Sequence, residues 1–239
     1  MPTDPLISCL MVTRGALAPT RFAIDCYRRQ TWQRRELVIL SDSFSPALIA
    51  HVAALADPTI RLIEAAPAPL GTLRNAAIAA AHGEWLAHWD DDDLSHPRRL
   101  ELQVEAMQRS GFSAIFLHRW TMWWPRRMML AVSGRRPWEG SMLAARTLVG
   151  AYPPLALGED SAMLEAMAAQ HGGAIGLLDR PDLLCYVVHG RNSWSTRHFE
   201  GLFARATHRW EFADYDRALA RLTEYPIADY REMIEADAP

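Results

Sequence analysis

The stretch "HWDDDDLSHP" (88–97) places four carboxylates in succession directly after the apolar run "GEWLAHW". Like charges 4 Å apart repel by about 1 kcal/mol in water and about 4 kcal/mol at an effective dielectric near 20. Such a run at the end of a buried strand therefore calls for a counter-charge. In an extended segment alternate side chains share a face, which puts Asp90 and Asp92 together and Asp91 and Asp93 opposite. Two carboxylates on one face suit a hard cation. Mg2+ or Mn2+ prefers oxygen ligands, and Mg2+ commonly keeps waters and adds substrate phosphates. The competing reading is an acidic loop whose Asp93 caps the following helix. Three further groups could do chemistry: Asp42 at the end of "ELVILSD", the pair of acids in "GEDSAML" (158–164), and "HGRNSW" (189–194).

The elements that must position these groups follow from hydrophobic periodicity. Buried strands are expected at 5–13, 36–42, 60–65 and 84–90, and helices at 20–30, 45–56, 71–83 and 95–111. Ser45 and Ser95 read as N-caps, with Pro46 at a first helical position and Gly83 and Gly111 as stops. Four strand–helix alternations predict a parallel sheet covered on both faces. In such sheets ligands bind beyond the carboxyl ends of the strands, which is where the acidic run and Asp42 fall. The second half reads as strands at 113–124, 127–133, 141–146 and 182–190 with a helix at 159–173, then an amphipathic helical stretch from about 197 that breaks at Pro226.

The chain has 239 residues, half of them hydrophobic, and a net charge of −3. It can bury a substantial core, and no strong field points to nucleic acid. All 25 basic residues are arginine, which removes a Schiff-base lysine and a P-loop lysine as mechanisms. Cys9, Cys26 and Cys185 show no metal spacing and read as buried free thiols of a reducing cytoplasm. The N-terminus "MPTDPLISCLMVTRG" does not read as a signal peptide, and no apolar run reaches the length of a membrane span.

Taken in order, "PLISCLMVTRG", "QTWQRRELVILSDS" and "PLGTLRNAAIAAAHGEWLAHWDDDDLSHPRRLE" resemble the N-terminal half of family-2 glycosyltransferases. "GEDSAML" and "YVVHGRNSW" are similar to two later motifs of that family. The resemblance implies an α/β GT-A fold, Rossmann-like, with a mostly parallel sheet, helices on both faces and a C-terminal helical extension. The transferase domain would span 1–196, with a nucleotide-binding half to about 112 and an acceptor and catalytic half from about 113, and the extension would span 197–239.

The same resemblance assigns roles. Asp92 would bind Mn2+ or Mg2+, Asp90 the ribose or the metal through water, and His189 would complete the metal shell or touch the diphosphate. Asp42 and Thr13 would meet the nucleotide base, although "SDSF" departs from the usual D-D-G-S. A carboxylate accepting an imide N–H favours UDP or dTDP. Arg74 would bond base or phosphate, Arg191 would reach the pyrophosphate, and Asn75 would tie backbone together. Gly71 would supply a permissive turn at its helix entry. Asp160, at a helix start where the dipole favours the anion, would be the general base, with Glu159 orienting acceptor or metal. Trp138 in "RRPWEG" is the acceptor candidate, while for the three tryptophans of "HRWTMWWPRR" core and hairpin packing is preferred over a sugar-acceptor platform or a lipid-headgroup contact.

The implied activity is metal-dependent, inverting transfer of a sugar from a nucleoside diphosphate to a hydroxyl of a glycan, lipid-linked or small acceptor. Surface polysaccharide assembly in the cytoplasm is the implied setting, with peripheral membrane contact and a homodimer left open. The rival readings are a catalytically silent sugar-nucleotide or glycan-binding protein and a nucleotidyltransferase. The latter would want a glycine-rich first loop and a basic clamp, which "TRGALAP" poorly matches.

Overall fold

The computed structural model describes residues 4–236. Residues 1–3, which begin the segment judged not to be a signal peptide, and 237–239, which end the C-terminal stretch, lie outside the described residues. The first half alternates β1 (Ile7–Val12), α1 (Leu17–Arg28), β2 (Arg35–Ser41), α2 (Pro46–Leu55), β3 (Ile60–Glu64), α3 (Leu70–Ala80) and β4 (Trp85–His88), then β5 (Leu94–Ser95) and α4 (Arg99–Ser110). The second half adds β6 (Ala114–Leu117), β7 (Thr121–Trp124), β8 (Met129–Val132), β9 (Trp138–Ala145), α5 (Glu159–His171), β10 (Ile175–Leu178) and β11 (Leu184–Val187). It closes with α6 (Thr196–Ala204), β12 (His208–Glu211), α7 (Tyr215–Leu219) and α8 (Ile227–Ala236).

Seven strands form the main sheet in the order β10-β6-β9-β4-β1-β2-β3, and only β9 runs against its neighbours. Apolar residues of α1, α2 and α4, such as Phe22, Leu48 and Val104, bury one face. Leu73, Ala77, Met163 and Met167 of α3 and α5 bury the other. The chain winds outward from β1 through β2 to β3 and then returns to β4 on the far side of β1. The loops after β1, β2 and β4 thus gather at one sheet end, at the switch in winding.

A second sheet, β12-β8-β7-β11-β5, was not foreseen. It explains why several expected strands are cut. The run 113–124 divides into β6 in the main sheet and β7 in the second, and the acidic run links β4 in one to β5 in the other. β6 and β7 are both buried, so hydrophobicity runs across the first break and hides it, whereas the second is the acidic run itself. β9 is longer than expected and begins at Trp138, while β10 was missed altogether. The stretch after residue 197 is not helical throughout, because β12 pairs antiparallel with β8. Its α8 does start directly after Pro226.

Local signals explain most helix ends. Ser45 caps α2 by accepting from Leu48 N–H at 3.2 Å, and Gly111 closes α4 at φ +75°. Ser95 does not cap α4. His96 precedes a proline, which disfavours helical backbone there, and the Ser95 hydroxyl instead accepts from Arg99 at 3.0 Å. α3 ends before Gly83, whose missing side chain lets it lie against β1, since a Cβ there would sit 2.6 Å from the Ser8 nitrogen. The three cysteines are buried free thiols, as expected.

At the sheet end away from the acidic run, Glu36 ties β1, β2, β3 and the α3–β4 junction. It accepts from the Ser8 hydroxyl at 2.6 Å, His82 N–H at 2.6 Å and Arg61 at 3.0 Å. Burial opposes its ionisation, but these donors prevail and hold its pKa below the ordinary value. Its contribution is therefore complete above the unfolded pKa and is lost as pH falls toward the folded one. Glu36→Ala should cost about 1–3 kcal/mol in urea unfolding at pH 7, with the deficit shrinking toward pH 3, because it strands buried donors. An equal deficit at both pH values would contradict this account.

Candidate functional site

The acidic run is a crossing between two sheets, and each carboxylate meets a different neighbour. Asp90 accepts from the buried His88 at 2.8 Å and lies 3.5 Å from the Arg74 guanidinium. Burial opposes its charge, yet His88, Arg74 and Arg99 hold it well below the ordinary carboxylate range. Asp91 turns toward Thr20, at 3.5 Å. Burial, reinforced by repulsion from Asp92, pushes it up to about 7. Asp92 faces His189 Nε2 at 3.0 Å and Asn192 Nδ2 at 3.3 Å. Asp93 is buried and accepts from Val187 N–H at 3.0 Å, so it pins β11 and does not cap a helix.

Two devices fix the backbone of this loop. Tyr230 of α8, fully buried against Phe22, donates its hydroxyl to the Asp92 carbonyl at 2.7 Å. Arg99, 1% exposed, donates to the carbonyls of His88 at 2.8 Å and Gly140 at 3.3 Å. Burial lowers its pKa to about 10, so it stays cationic at neutral pH beneath the carboxylates.

Asp90 and Asp92 line one cavity of about 250 Å³, but residues 91–93 bend and Asp91 and Asp92 line a neighbouring cavity together, so the alternation of an extended segment does not hold. Arg74, Trp138, Glu159 and Asp160 share its wall, joining residues from both halves of the chain. Arg74 spends its guanidinium on Glu159, at 2.8 Å, and on Asp90. Glu159 is buried and Asp160, beside it at the start of α5, has its pKa raised by burial. Trp138 stacks on Trp120 with ring centroids 4.8 Å apart, and Trp120, Trp123 and Trp124 are all buried, as the packing reading expected. A neighbouring cavity of about 160 Å³ brings Asp91, Asp92, His189 and Arg191 together with Arg14 and Arg126.

Thr13 and Asp42 lie outside the walls of both cavities but close to each other's loops. Gly15, at φ +79°, receives Ser45 N–H on its carbonyl at 2.9 Å, and a Cβ on it would strike the Ser43 carbonyl. This contact draws the ends of β1 and β2 together. Gly71 is not a turn residue. It lies inside α3, and a Cβ there would collide with the Pro153 carbonyl. Asn75 does tie backbone, exchanging hydrogen bonds with Tyr152 N–H at 2.8 Å and its carbonyl at 2.9 Å. The 150s loop that precedes α5 is thereby clamped to α3.

Among the described residues no three His, Cys, Asp or Glu side chains converge as a ready-made metal cage. The donor chemistry still suits a hard cation, because Asp92 and Asp90 present carboxylate oxygens to the cavity, and Mg2+ takes waters and phosphates for its other positions. His189 accepts from Arg191 N–H on Nδ1 at 3.2 Å, so its Nε2 carries the proton given to Asp92. That nitrogen could ligate a cation only in the other neutral tautomer, with the proton on Nδ1.

The sequence model of Glycosyl transferase family 2 matches residues 8–129, just over half of the chain. The chain belongs to this family. It is 41% identical over 91 residues to succinoglycan biosynthesis protein ExoO of Rhizobium meliloti (strain 1021), covering 37% of this chain and 26% of that protein. It is 29% identical over 115 residues to the UDP-Glc:alpha-D-GlcNAc-diphosphoundecaprenol beta-1,3-glucosyltransferase WfgD of Escherichia coli, covering 47% and 45%. The matched stretches thus span less than half the length of either relative. Among solved structures, mannosyltransferase PcManGT from Pyrobaculum calidifontis, in complex with GDP-Man and Mn2+, superposes with TM-score 0.62 at 16% identity, over 99% of this chain and 70% of that one. The fold is the GT-A fold of the family.

Sequence reasoning overlooked His88, Arg99, Glu139, Tyr152 and Tyr230. Glu139 also lines the larger cavity, where it accepts from Arg136 at 2.9 Å and the Ser161 hydroxyl at 2.9 Å. Only His88 and Glu139 carried a usable signal, a charged or titratable residue inside an otherwise apolar strand. Arg99 and Tyr230 sit on helices where either residue passes for surface. Arg99→Met should destabilise the protein by more than about 3 kcal/mol, since it strands buried carbonyls and removes the counter-charge of Asp90 and Asp93. Tyr230→Phe should cost about 0.5–1.5 kcal/mol, the net worth of one hydrogen bond. Urea unfolding with unchanged m-values checks both, and a milder effect for Arg99→Met than for Tyr230→Phe would overturn the ranking.

Proposed function

We propose that the protein transfers a sugar from a nucleoside diphosphate donor to an acceptor hydroxyl. The observation that carries this reading is the convergence of Asp90, Asp92, Arg74, Glu159 and Asp160 on one cavity at the switch in the sheet. The acids come from two distant segments and face each other across space for a small molecule. Family membership supports the reaction class. The relative WfgD, named for a UDP-Glc donor and a diphosphoundecaprenol acceptor, supports a UDP-type donor, and ExoO, named for succinoglycan biosynthesis, supports a role in polysaccharide assembly. The transferase unit is taken as 1–196, with 197–239 as an appended segment, whose Tyr215, Leu219, Tyr230 and Ile234 pack into the core of that unit.

Asp92 and, through water, Asp90 are the residues that would hold Mn2+ or Mg2+, with His189 beside them. The cation supplies neutralisation of the charge that builds on the departing diphosphate. Arg191, on the wall shared with Asp92, reaches the pyrophosphate. Thr13 and Asp42 meet the base, where a carboxylate favours the imide of uracil or thymine. Arg74 keeps Asp90 and Glu159 in place and adds positive charge to the donor side.

Asp160 removes the proton from the acceptor hydroxyl as that oxygen attacks the anomeric carbon from the face opposite the diphosphate, which inverts configuration. Trp138 offers the acceptor sugar an aromatic wall, and Glu159, held by Arg74, orients the acceptor or the metal. No helix among the described residues is long and apolar enough to cross a membrane.

Asp160→Asn should lower kcat by about 10²–10⁴-fold, the range of positioned proton transfer, with donor affinity retained. The base works only when ionised, and burial raises its pKa. The wild-type rate should therefore fall on acidification at a higher pH than an ordinary carboxylate would set. Undiminished turnover by the variant would remove Asp160 from the reaction. A thermal-shift screen of nucleoside diphosphates with Mn2+ should give the largest shifts for UDP and dTDP, since ligand binding stabilises the folded state by mass action. Equal shifts with every base would remove the role of Asp42.

A further inference from the structure

Next to the acid-rich cavity lies a second one of about 330 Å³, lined by Trp120, Ser133, Arg135, Arg136, Leu202 and Arg205. No acidic residue contributes to its wall. The two cavities share Arg136 and Leu202, so they adjoin. Arg136 is anchored between them: it donates to Glu139 on the first cavity, and its guanidinium lies 5.1 Å from the Trp120 ring on the second. Trp120 is 1% exposed and stacks on Trp138, a wall of the first cavity. Its indole N–H has no hydrogen-bond partner among the described residues. His198, which also lines the first cavity, has its pKa lowered by burial and then by the charges of Arg136 and Arg205. The positive field of the second cavity therefore reaches into the first.

The charge layout is asymmetric. The first cavity holds Asp90, Asp92, Glu139, Glu159 and Asp160 against two arginines, and the second holds only cations. An acceptor with a negative group cannot place that group among the carboxylates, but it can place a neutral hydroxyl there. Guanidinium groups bind phosphate oxygens in two-point contacts and suit a phosphoryl group better than a lone charge would require. We propose that Arg135, Arg136 and Arg205 form a subsite for a phosphate or diphosphate on the acceptor, whose sugar hydroxyl then reaches Asp160. This rests on the transfer reading above and narrows its acceptor to a glycosyl phosphate or diphosphate.

The test uses the exposed pair Arg135 and Arg205, which leaves the shared Arg136 intact. Calorimetric titration with inorganic pyrophosphate in EDTA, without donor, should show binding at least tenfold weaker in R135E/R205E than in wild type, and weaker in both at high salt. Unchanged affinity at unchanged thermal midpoint overturns the subsite. In transfer assays the variant should raise KM about tenfold for a glycosyl diphosphate, and leave KM for the methyl glycoside of the same sugar and KM for the donor unaltered. Equal rises for charged and neutral acceptors overturn it as well. Comparing the glycosyl diphosphate with and without a prenyl tail separates the two sources. Use of the tailed form alone assigns a lipid-linked acceptor, and use of both assigns the headgroup. Should no sugar nucleotide be turned over with any acceptor, the transfer reading fails, while the pyrophosphate titration still reports on the arginines.

Discussion

One buried cation underlies the arrangement of the acids. Arg99 lies inside the protein with its guanidinium on the carbonyls of His88 and Gly140, the ends of two antiparallel neighbours in the main sheet. It also supports Ser95 at the start of the second sheet. Its charge adds to His88 and Arg74 at Asp90 and offsets part of the repulsion that Asp92 and Asp90 exert on buried Asp93. Arginine can take this place because its charge survives burial that would neutralise a lysine. Without it, the crossing from one sheet to the other would join unsatisfied carbonyls to mutually repelling carboxylates.

The acidic run makes sense as the place where four different constraints meet. Asp90 belongs to His88 and Arg74, Asp91 to the threonines of the first loop and helix, Asp92 to the late His-Gly loop, and Asp93 to β11. The residues are consecutive but their partners are far apart in the chain. Four carboxylates in a row are thus one attachment point for each of the surrounding elements, and two of them also face the cavity.

Much of this was legible beforehand. The parallel half declared itself through alternating periodicities, a serine–proline helix start at Ser45 and a glycine stop at Gly111. Asp90 and Asp92 do share a cavity wall, but through a bend and not through the strand alternation expected of the run. The second sheet was illegible for a physical reason: its strands are short, and the crossing from β6 to β7 is apolar on either side, so nothing in 113–124 marks the turn except His118 and Arg119. Ser95 was misread because a hydroxyl before a helical pattern looks the same whether it caps backbone or receives a guanidinium. Tyr230 and Arg99 could not be read at all, since their importance lies in distant carbonyls that no local pattern encodes.

The bond from Tyr230 to the Asp92 carbonyl spans 138 positions of sequence. A ribosome delivers the acidic run long before it delivers the helix that holds it. Until then the carbonyl of Asp92 lacks this donor, whatever the side chains of the run have already met in β11 and the first helices. The acidic loop thus takes its final backbone contact from a segment made 138 positions later, so the candidate pocket is completed only with α8 in place.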